Sequence, residues 1–205
     1  MTIERRNALV ALVPDDAPTP MVDVGADHGL VAQALGCWAT ERMPDRRSSA
    51  PLPWIIADGL RPFRHVGTAI IAGMGAHRIL DMIDHAPPLE VLVVHAPDRP
   101  PMLRQGLNQR GWRIEAERLA PEAGQYAVTM RARPGVPHPD DLWLHHGPVL
   151  LRQPTDPNGW IVAHLRQQLA WFEHLSITLA ATAPERSVWA MTHRDFLQER
   201  LAERL

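Results

Sequence analysis

Two aspartates and two glycines lie close together in the segment Asp23-Val-Gly-Ala-Asp-His-Gly29, directly after the first buried-strand pattern of the chain. A glycine-containing turn that leads into a helix exposes backbone N–H groups, which can line a ligand pocket. A dinucleotide-binding turn would carry three glycines in the pattern G-x-G-x-x-G, whereas this segment has only Gly25 and Gly29. Because Asp23 and Asp27 would repel a diphosphate, the loop favours a ligand that carries positive charge.

Three further strand patterns each end in an acid or a glycine. Glu41 ends the second, where a carboxylate can accept hydrogen bonds from ribose hydroxyls. Asp58 ends the third, where it can accept the amino group of an adenine, and Gly73 ends the fourth, where bare backbone leaves room for a ligand. Since the carboxyl ends of parallel strands meet at one edge of a sheet, the four ends together predict a site for the cationic adenosyl ligand S-adenosylmethionine. The predicted cofactor-binding residues are Asp23, Gly25, Asp27, His28, Gly29, Glu41, Asp58, Gly59, Gly73, Met74 and Gly75.

Strand and helix patterns alternate along the first two thirds of the chain, and these elements must position the site. Strand patterns cover residues 21–25, 37–41, 53–57, 68–72, 89–94, 112–119 and 125–133. Helix patterns cover residues 3–13, 29–35, 76–85 and 101–110. A Pro-Glu-Ala-Gly turn joins the last two strands, which is typical of an antiparallel hairpin. This order predicts an α/β fold with a Rossmann-like, mostly parallel sheet, helices on both faces and an antiparallel edge hairpin.

The composition of the chain changes after Pro134. Repeated prolines predict an irregular connector, and two helix patterns follow it. The first has apolar positions spaced by three and four residues from Val162 to Leu179, interrupted by Ser176, and the second begins near Pro184. We expect the two helices to pack as a hairpin, and both a monomer and a homodimer through this seam are left open. The predicted domains are a Rossmann-like domain (1–135), a proline-rich connector (136–158) and a C-terminal helical hairpin (159–205).

The composition also excludes several classes of protein. The chain has 205 residues, 45% of them apolar, but no run of about eighteen apolar residues, so no membrane span is predicted. The N-terminal segment lacks the apolar core of a signal peptide, so we expect a cytoplasmic protein. Cys37 is the single cysteine and His145-His146 the single adjacent histidine pair, so no metal site is predicted. The net charge of −2 means that any nucleic-acid binding must depend on a local patch.

Several of these motifs resemble those of one enzyme family. The segments Asp23–His28, Ala57–Leu60 and Ile70–Gly75 are similar to motifs of the bacterial tRNA adenine-22 N1-methyltransferases. Further similar positions follow in the same order, at Leu103-Arg104, Gly111-Trp112, Gln125-Tyr126 and Gly147–Leu150, and the C-terminal helical hairpin also matches. The resemblance implies a class I methyltransferase fold, S-adenosylmethionine as cofactor and tRNA as substrate.

The chain departs from the family pattern in places that bear on activity. The segment between Glu41 and Asp58 is short, so the helix that the family places there is expected to be reduced or lost. Ala96-Pro-Asp98 stands where the family has Gln-Pro-Asn, near the expected target base. Two alternatives therefore stay open. One is a catalytically degenerate module that binds S-adenosylmethionine or RNA, and the other is a methyltransferase with a different acceptor.

The proposed chemistry is methyl transfer to an adenine nitrogen, for which Asp27, His28 and Asp98 are the catalytic candidates. N1 of adenine has a free lone pair, so attack needs no strong base, and Asp98 or Asp27 could accept a proton from the exocyclic amine. His28 could orient Asp27 or border the substrate, and His95 is a weaker candidate for contact with the base. Arginines concentrated around the expected mouth of the cofactor site are candidates for RNA phosphate contacts. They are Arg42, Arg46, Arg47, Arg61 and Arg64.

Overall fold

The computed structural model describes residues 1–46 and 51–204 of the chain. Seven strands form one sheet, and we number the strands and helices in chain order. The strands are β1 (Met21–Val24), β2 (Trp38–Glu41), β3 (Trp54–Ile56), β4 (Val66–Ala72), β5 (Leu89–His95), β6 (Trp112–Glu122) and β7 (Gln125–Pro134). The α-helices are α1 (Ile3–Val10), α2 (Leu30–Leu35), α3 (Ala76–Asp84), α4 (Pro100–Gln109), α5 (Asp141–His146), α6 (Trp160–Leu179) and α7 (Pro184–Ala202).

The strand order across the sheet is β3-β2-β1-β4-β5-β7-β6. The first five strands in this order pair in parallel, and β7 pairs antiparallel with both β5 and β6. The carboxyl ends of β1 to β5 therefore lie at one edge, which we call the ligand edge. The structure confirms the predicted Rossmann-like, mostly parallel sheet with an antiparallel edge hairpin.

The two central strands explain why the sheet is buried on both faces. β4 and β5 are largely apolar and all but three of their fourteen residues are buried, as expected for parallel strands covered by helices on both sides. On one face, Leu9 of α1 and Leu12, just after this helix, pack with Val31 of α2, Ile70 of β4 and Val93 of β5. This cluster fixes α1 against the sheet.

The β6–β7 hairpin extends beyond the ligand edge. Val94 near the end of β5 pairs with Met130, whereas β7 begins five residues earlier, at Gln125. At about 3.3 Å per residue, the tip of the hairpin projects roughly 13 Å past the end of β5. The turn itself contains two residues with positive φ, Ala123 and Gly124, as a tight hairpin turn requires. The hairpin tip therefore lies beyond the end of β5, on the same edge of the sheet as the ligand edge.

The connection between β2 and β3 is short, as the departure from the family pattern predicted. Its described part contains a 3-10 helix at Pro44–Arg46 and no α-helix. α2 has only six residues and ends at Gly36, whose φ of 63° is typical of a helix C-terminus.

The chain divides into two compact units, residues 1–149 and 150–205. The first unit includes α5, a helix within the stretch predicted to be an irregular connector. Asp140 caps α5, because its Oδ1 accepts a hydrogen bond from the Trp143 N–H at 3.0 Å.

The second unit is built on the helical hairpin of α6 and α7, as predicted. Leu165 and Phe172 of α6 and Leu197 of α7 are buried in its seam. The predicted polar position in the seam, Ser176, is buried as well, and the Ser187 hydroxyl of α7 donates to its carbonyl oxygen at 2.7 Å. Leu205 lies outside the described residues. The helices of the described chain include none that is both long and apolar enough to cross a membrane.

Candidate functional site

A cavity of about 560 Å³ opens at the ligand edge, over the ends of β1 to β4. Nine of the eleven predicted cofactor-binding residues line it, namely Asp23, Gly25, Asp27, His28, Glu41, Asp58, Gly59, Gly73 and Met74. The other two, Gly29 and Gly75, open the helices α2 and α3 beside it. The four strand ends that the sequence singled out therefore meet in one hollow.

The loop after β1 lines this cavity, and its backbone conformation favours a glycine. Gly25 has a φ of 66°, and a Cβ atom at this position would collide with the terminal methyl group of Met74 from the loop after β4. Ala26 extends the pairing to β2, since its N–H donates to the Thr40 carbonyl at 2.9 Å. Asp27 then adopts a φ of 49°, which is uncommon for a residue with a side chain. The backbone of this loop is thus in close contact with both neighbouring strand ends.

Glu41 links the first two strand ends. One carboxylate oxygen accepts a hydrogen bond from the Asp27 N–H at 3.3 Å, and the other accepts one from the Met43 N–H at 3.0 Å. A carboxylate offers about four lone-pair sites, so roughly two remain for a ligand. The side chain is buried by the protein and lines the cavity, which suits a carboxylate that accepts two ribose hydroxyls.

Asp23 is the most buried acid of the site, with 5% of its surface exposed. Its carboxylate accepts a hydrogen bond from the Ala32 N–H at 3.1 Å, in the first turns of α2. Burial raises the pKa of Asp23 to about 7, against the opposing effect of the Ala32 hydrogen bond. The charge of Asp23 also contributes, after burial, to raising the pKa of the nearby Cys37 thiol to about 12. A cationic ligand would relieve the cost of ionising this carboxyl group.

Asp58 faces an arginine that the sequence did not indicate. Its Oδ1 lies 3.2 Å from Nη2 of Arg78 on α3, and both side chains are about half exposed. Both residues line the 560 Å³ cavity and also a second hollow of about 460 Å³ beside it. Arg61, His77 and His85 also line this second hollow, which is therefore rich in groups that can carry positive charge.

The candidates for catalysis are placed differently from one another. Asp27 and His28 lie together on the exposed loop, with 3.7 Å between Oδ2 and Nε2. Asp98 is exposed beside Gly75, and its Oδ1 accepts the Ala76 N–H at 3.0 Å, which caps α3. Asp98 does not line the 560 Å³ cavity, so the structure brings it to the end of β4 but not into the same hollow as Asp27 and His28.

His95 is buried within the sheet rather than directed at a substrate. It is the last residue of β5, it is 1% exposed, and its Nδ1 lies 3.0 Å from the Val128 carbonyl oxygen of β7. Burial lowers the pKa of His95. The suggestion that His95 contacts the acceptor base is therefore wrong, because the side chain is covered by protein.

The predicted RNA-binding arginines are only partly gathered at the site. Arg42 lines both hollows and Arg61 lines the second one, whereas Arg64 is exposed and lines neither. Arg46 lies in the 3-10 helix after β2, and Arg47 lies outside the described residues. Sequence reasoning missed Arg78 as a lining residue of the 560 Å³ cavity, and it considered Arg5 only as a further phosphate contact if α1 packs nearby. Both belong to helices, and only the packing of those helices brings them to the ligand edge.

Comparisons with known proteins agree with this geometry. The family model of the tRNA (adenine(22)-N(1))-methyltransferases, TrmK, matches residues 38–201. Streptococcus pneumoniae Sp1610 superposes with a TM-score of 0.80 at 20% identity over 98% of this chain and 100% of that chain. The M1A22 tRNA methyltransferase TrmK of B. subtilis does so with a TM-score of 0.76 at 16% identity, covering 98% of this chain and 99% of that one. TrmK of M. capricolum, solved with S-adenosyl-homocysteine, gives a TM-score of 0.76 at 13% identity with 98% of each chain covered.

No curated protein matches the chain in sequence. At these identities the solved structures establish the fold alone. The family model, however, covers most of the chain, from β2 to α7. The chain therefore belongs to the tRNA (adenine(22)-N(1))-methyltransferase family.

Proposed function

We propose that the cavity at the ligand edge binds S-adenosylmethionine and that the chain transfers the methyl group to N1 of an adenine in tRNA. One observation carries the proposal: Asp23, Glu41, Asp58 and Gly73, from four strand ends, line a single cavity. The family supplies the substrate class and the acceptor atom. Because tRNA is met in the cytoplasm, we place the chain there. The proposal requires no metal, and both a monomer and a dimer are compatible with it.

The acids at successive strand ends match successive groups of this cofactor, from its adenine to its methionine moiety. Asp58 at the end of β3 would accept the adenine amino group, and Glu41 at the end of β2 has lone pairs left for the ribose hydroxyls. Asp23 and Asp27 at the end of β1 would offset the positive charge of the ammonium and sulfonium groups. When bound, the cofactor supplies an electrophilic methyl group.

The contribution of the protein to the reaction is mainly one of position. Adenine N1 is nucleophilic without deprotonation, so holding acceptor and donor in line is the main requirement, and such alignment can lower a barrier by about 7–11 kcal/mol. N1 is engaged in base pairs within a duplex, so the target base must be exposed first. Asp98 at the end of β5 and Asp27 on the β1 loop remain the candidates to take a proton from the exocyclic amine.

The proposal predicts methyl transfer to tRNA that lacks the modification. The chain is incubated with labelled S-adenosylmethionine and such tRNA, and the digested nucleosides are separated. We expect labelled 1-methyladenosine with the natural chain and a loss of at least tenfold with Asp58→Ala, whereas Asp15→Ala, at an exposed acid away from the cavity, should leave the rate unchanged.

Other outcomes of this assay separate the alternatives. Binding of S-adenosylmethionine without methyl transfer to any RNA would identify a catalytically degenerate module. A different labelled nucleoside would establish the methyltransferase and overturn the assignment of the acceptor atom.

A second prediction concerns the arginines of the second hollow. Arg42 and Arg61 are exposed and have no ion-pair partner among the described residues, so they are free to contact phosphates. The double replacement of both by alanine should weaken tRNA binding about tenfold or more near 0.1 M salt. It should also reduce the salt dependence of log K by about one unit for each lost phosphate contact.

The control for this measurement is Arg113→Ala. Arg113 is also exposed, but it lies at the start of β6, away from the ligand edge, and its Nη2 is paired with Glu115 at 2.8 Å. An equal loss of affinity in the control would show that general charge, and not the second hollow, determines tRNA binding. Filter binding or fluorescence anisotropy at several salt concentrations provides the measurement.

A further inference from the structure

The proposed cofactor carries one anionic group, the carboxylate of its methionine moiety. The cavity is lined by four carboxylates, Asp23, Asp27, Glu41 and Asp58, which would repel that group. A side chain of opposite charge is therefore needed at the methionine end of the cavity. The arginines that line it are Arg5, Arg42 and Arg78.

Arg42 and Arg78 lie at the β2–β3 end of the cavity, away from the expected position of the methionine carboxylate. Arg42 directly follows Glu41 at the end of β2, and Arg78 is paired with Asp58 at the end of β3. If adenine and ribose occupy these two strand ends, the rest of the ligand extends across β1 toward β4. Neighbouring strands are about 4.8 Å apart, so β3 and β4 are separated by about 14 Å, the scale of an extended adenosyl amino acid.

Arg5 lies on the far side of that span. It belongs to α1, and its Nη1 donates to Glu122 Oε2 at 2.7 Å, at the tip of the β6–β7 hairpin beyond the ends of β4 and β5. Arg5 is also close enough to His95, the last residue of β5, for its charge to act on that imidazole. These two neighbours place the guanidinium at the β4–β5 end of the cavity.

The Arg5 side chain is oriented by Glu122 but still has N–H donors that can bind a ligand. Its side chain is only 14% exposed and Glu122 is 25% exposed, so the pair is largely removed from solvent. Its Nε is buried and has no hydrogen-bond partner among the described residues. A guanidinium has five N–H donors and can bind a carboxylate through two parallel hydrogen bonds. Glu122 accepts from one nitrogen and so orients the others.

We propose that Arg5, oriented by Glu122, binds the carboxylate of the methionine moiety of the cofactor. This inference rests on the proposed function, since it assigns one more group at the same cavity. Arg5 makes the site selective for adenosyl ligands that carry an amino-acid carboxylate over those that carry only an amine. Glu122 acts as a positioning residue, because it reaches the ligand only through Arg5.

The test compares two ligands that differ in one group. S-adenosyl-homocysteine carries the carboxylate, and S-adenosyl-3-thiopropylamine is the same molecule without it. We expect Arg5→Ala to weaken binding of S-adenosyl-homocysteine by 10- to 100-fold in calorimetry and to leave binding of the amine within twofold. Glu122→Gln should give a smaller loss with the same selectivity. Arg6→Ala serves as the matched control, since Arg6 is the neighbouring arginine and does not line the cavity.

Each outcome bears on the inference. Unchanged affinity of Arg5→Ala for S-adenosyl-homocysteine overturns it, and so does an equal loss for both ligands. A variant that binds the amine normally is folded, so a selective loss cannot come from unfolding. If weaker tRNA binding is the only effect of Arg5→Ala, the arginine contacts RNA phosphate and the inference is wrong. If the natural chain binds neither adenosyl ligand, the proposed function itself fails, which is a distinct result.

Discussion

Replacement of Asp23 by asparagine is expected to stabilise the folded chain at alkaline pH and to weaken cofactor binding at the same time. Asp23 is buried, and burial raises its pKa to about 7. Its hydrogen bond from the Ala32 N–H can be kept by the asparagine side-chain oxygen, so the local fold should not change. The variant removes only the charge, whose burial is costly without a ligand.

The sign of the pH effect follows from the direction of this shift. The pKa of Asp23 is higher in the folded chain than the value of 3.8 expected when unfolded, so the folded state binds the proton more tightly. The resulting stabilisation is fully present below pH 3.8 and is lost as the pH rises to about 7. Relative to Asp23→Asn, the natural chain should lose about 1.4 kcal/mol per pH unit in this window, up to about 4 kcal/mol.

Denaturant unfolding of both proteins at pH 5 and pH 8 measures this difference. Asp15→Asn, at an exposed acid away from the cavity, is the control and should change the free energy of unfolding by less than about 0.5 kcal/mol at either pH. A free-energy difference between the natural chain and Asp23→Asn that does not vary with pH would contradict the buried-charge argument.

Ligand binding should respond in the opposite direction. The ammonium group of S-adenosyl-homocysteine favours the ionised form of Asp23, so the affinity of the natural chain should rise between pH 6 and pH 8. Asp23→Asn should bind at least tenfold more weakly at pH 8, and this pH dependence should be reduced. Calorimetry with S-adenosyl-homocysteine at pH 6, 7 and 8 measures both effects. Tight binding by the variant at pH 8 would remove Asp23 from the proposed cofactor site.

The fold was predictable because its main signals are local. β4 and β5 are largely apolar, which is the pattern of a strand buried on both faces of a sheet. The alternation of strands with helices then leaves few possible topologies for the sheet. α5 was not predicted, because six residues between prolines give little periodicity. The helix is stabilised by the Asp140 cap and by packing against α4. The cap can be recognised in the sequence, but the packing cannot.

Site residues that directly follow a strand could be predicted from the sequence, whereas those brought to the site by helix or hairpin packing could not. The acids at positions 23, 41 and 58 are each fixed by the strand that precedes them. The Arg5–Glu122 pair joins residues 117 positions apart, so no local spacing could indicate it. Asp98 could be placed at the end of β5, but its hydrogen bond to the Ala76 N–H depends on how the neighbouring loop leads into α3.

Breaking the buried ion pair between Arg104 and Glu117 should cause the largest loss of stability. Arg104 of α4 and Glu117 of β6 are each 1% exposed, with 2.8 Å between Nε and Oε1. Nη1 of Arg104 donates to the His145 carbonyl at 2.6 Å, and the second carboxylate oxygen of Glu117 accepts the Val149 N–H at 3.0 Å. The pair therefore joins α4, β6 and the end of the first unit.

Glu117→Gln would leave the guanidinium buried without a counter-charge, and we expect the free energy of unfolding to fall by about 3–5 kcal/mol. Asp84→Asn is the matched control. Asp84 accepts two hydrogen bonds, of 2.7 and 2.6 Å, from Arg110 at the C-terminal end of α4, but its side chain is 44% exposed. Its cost should be at most about 1 kcal/mol. The double variant Arg104→Met with Glu117→Leu should be more stable than Glu117→Gln alone, since no charge then remains buried. Equal losses for Glu117→Gln and Asp84→Asn in denaturant unfolding would show that burial does not set the energy of this pair.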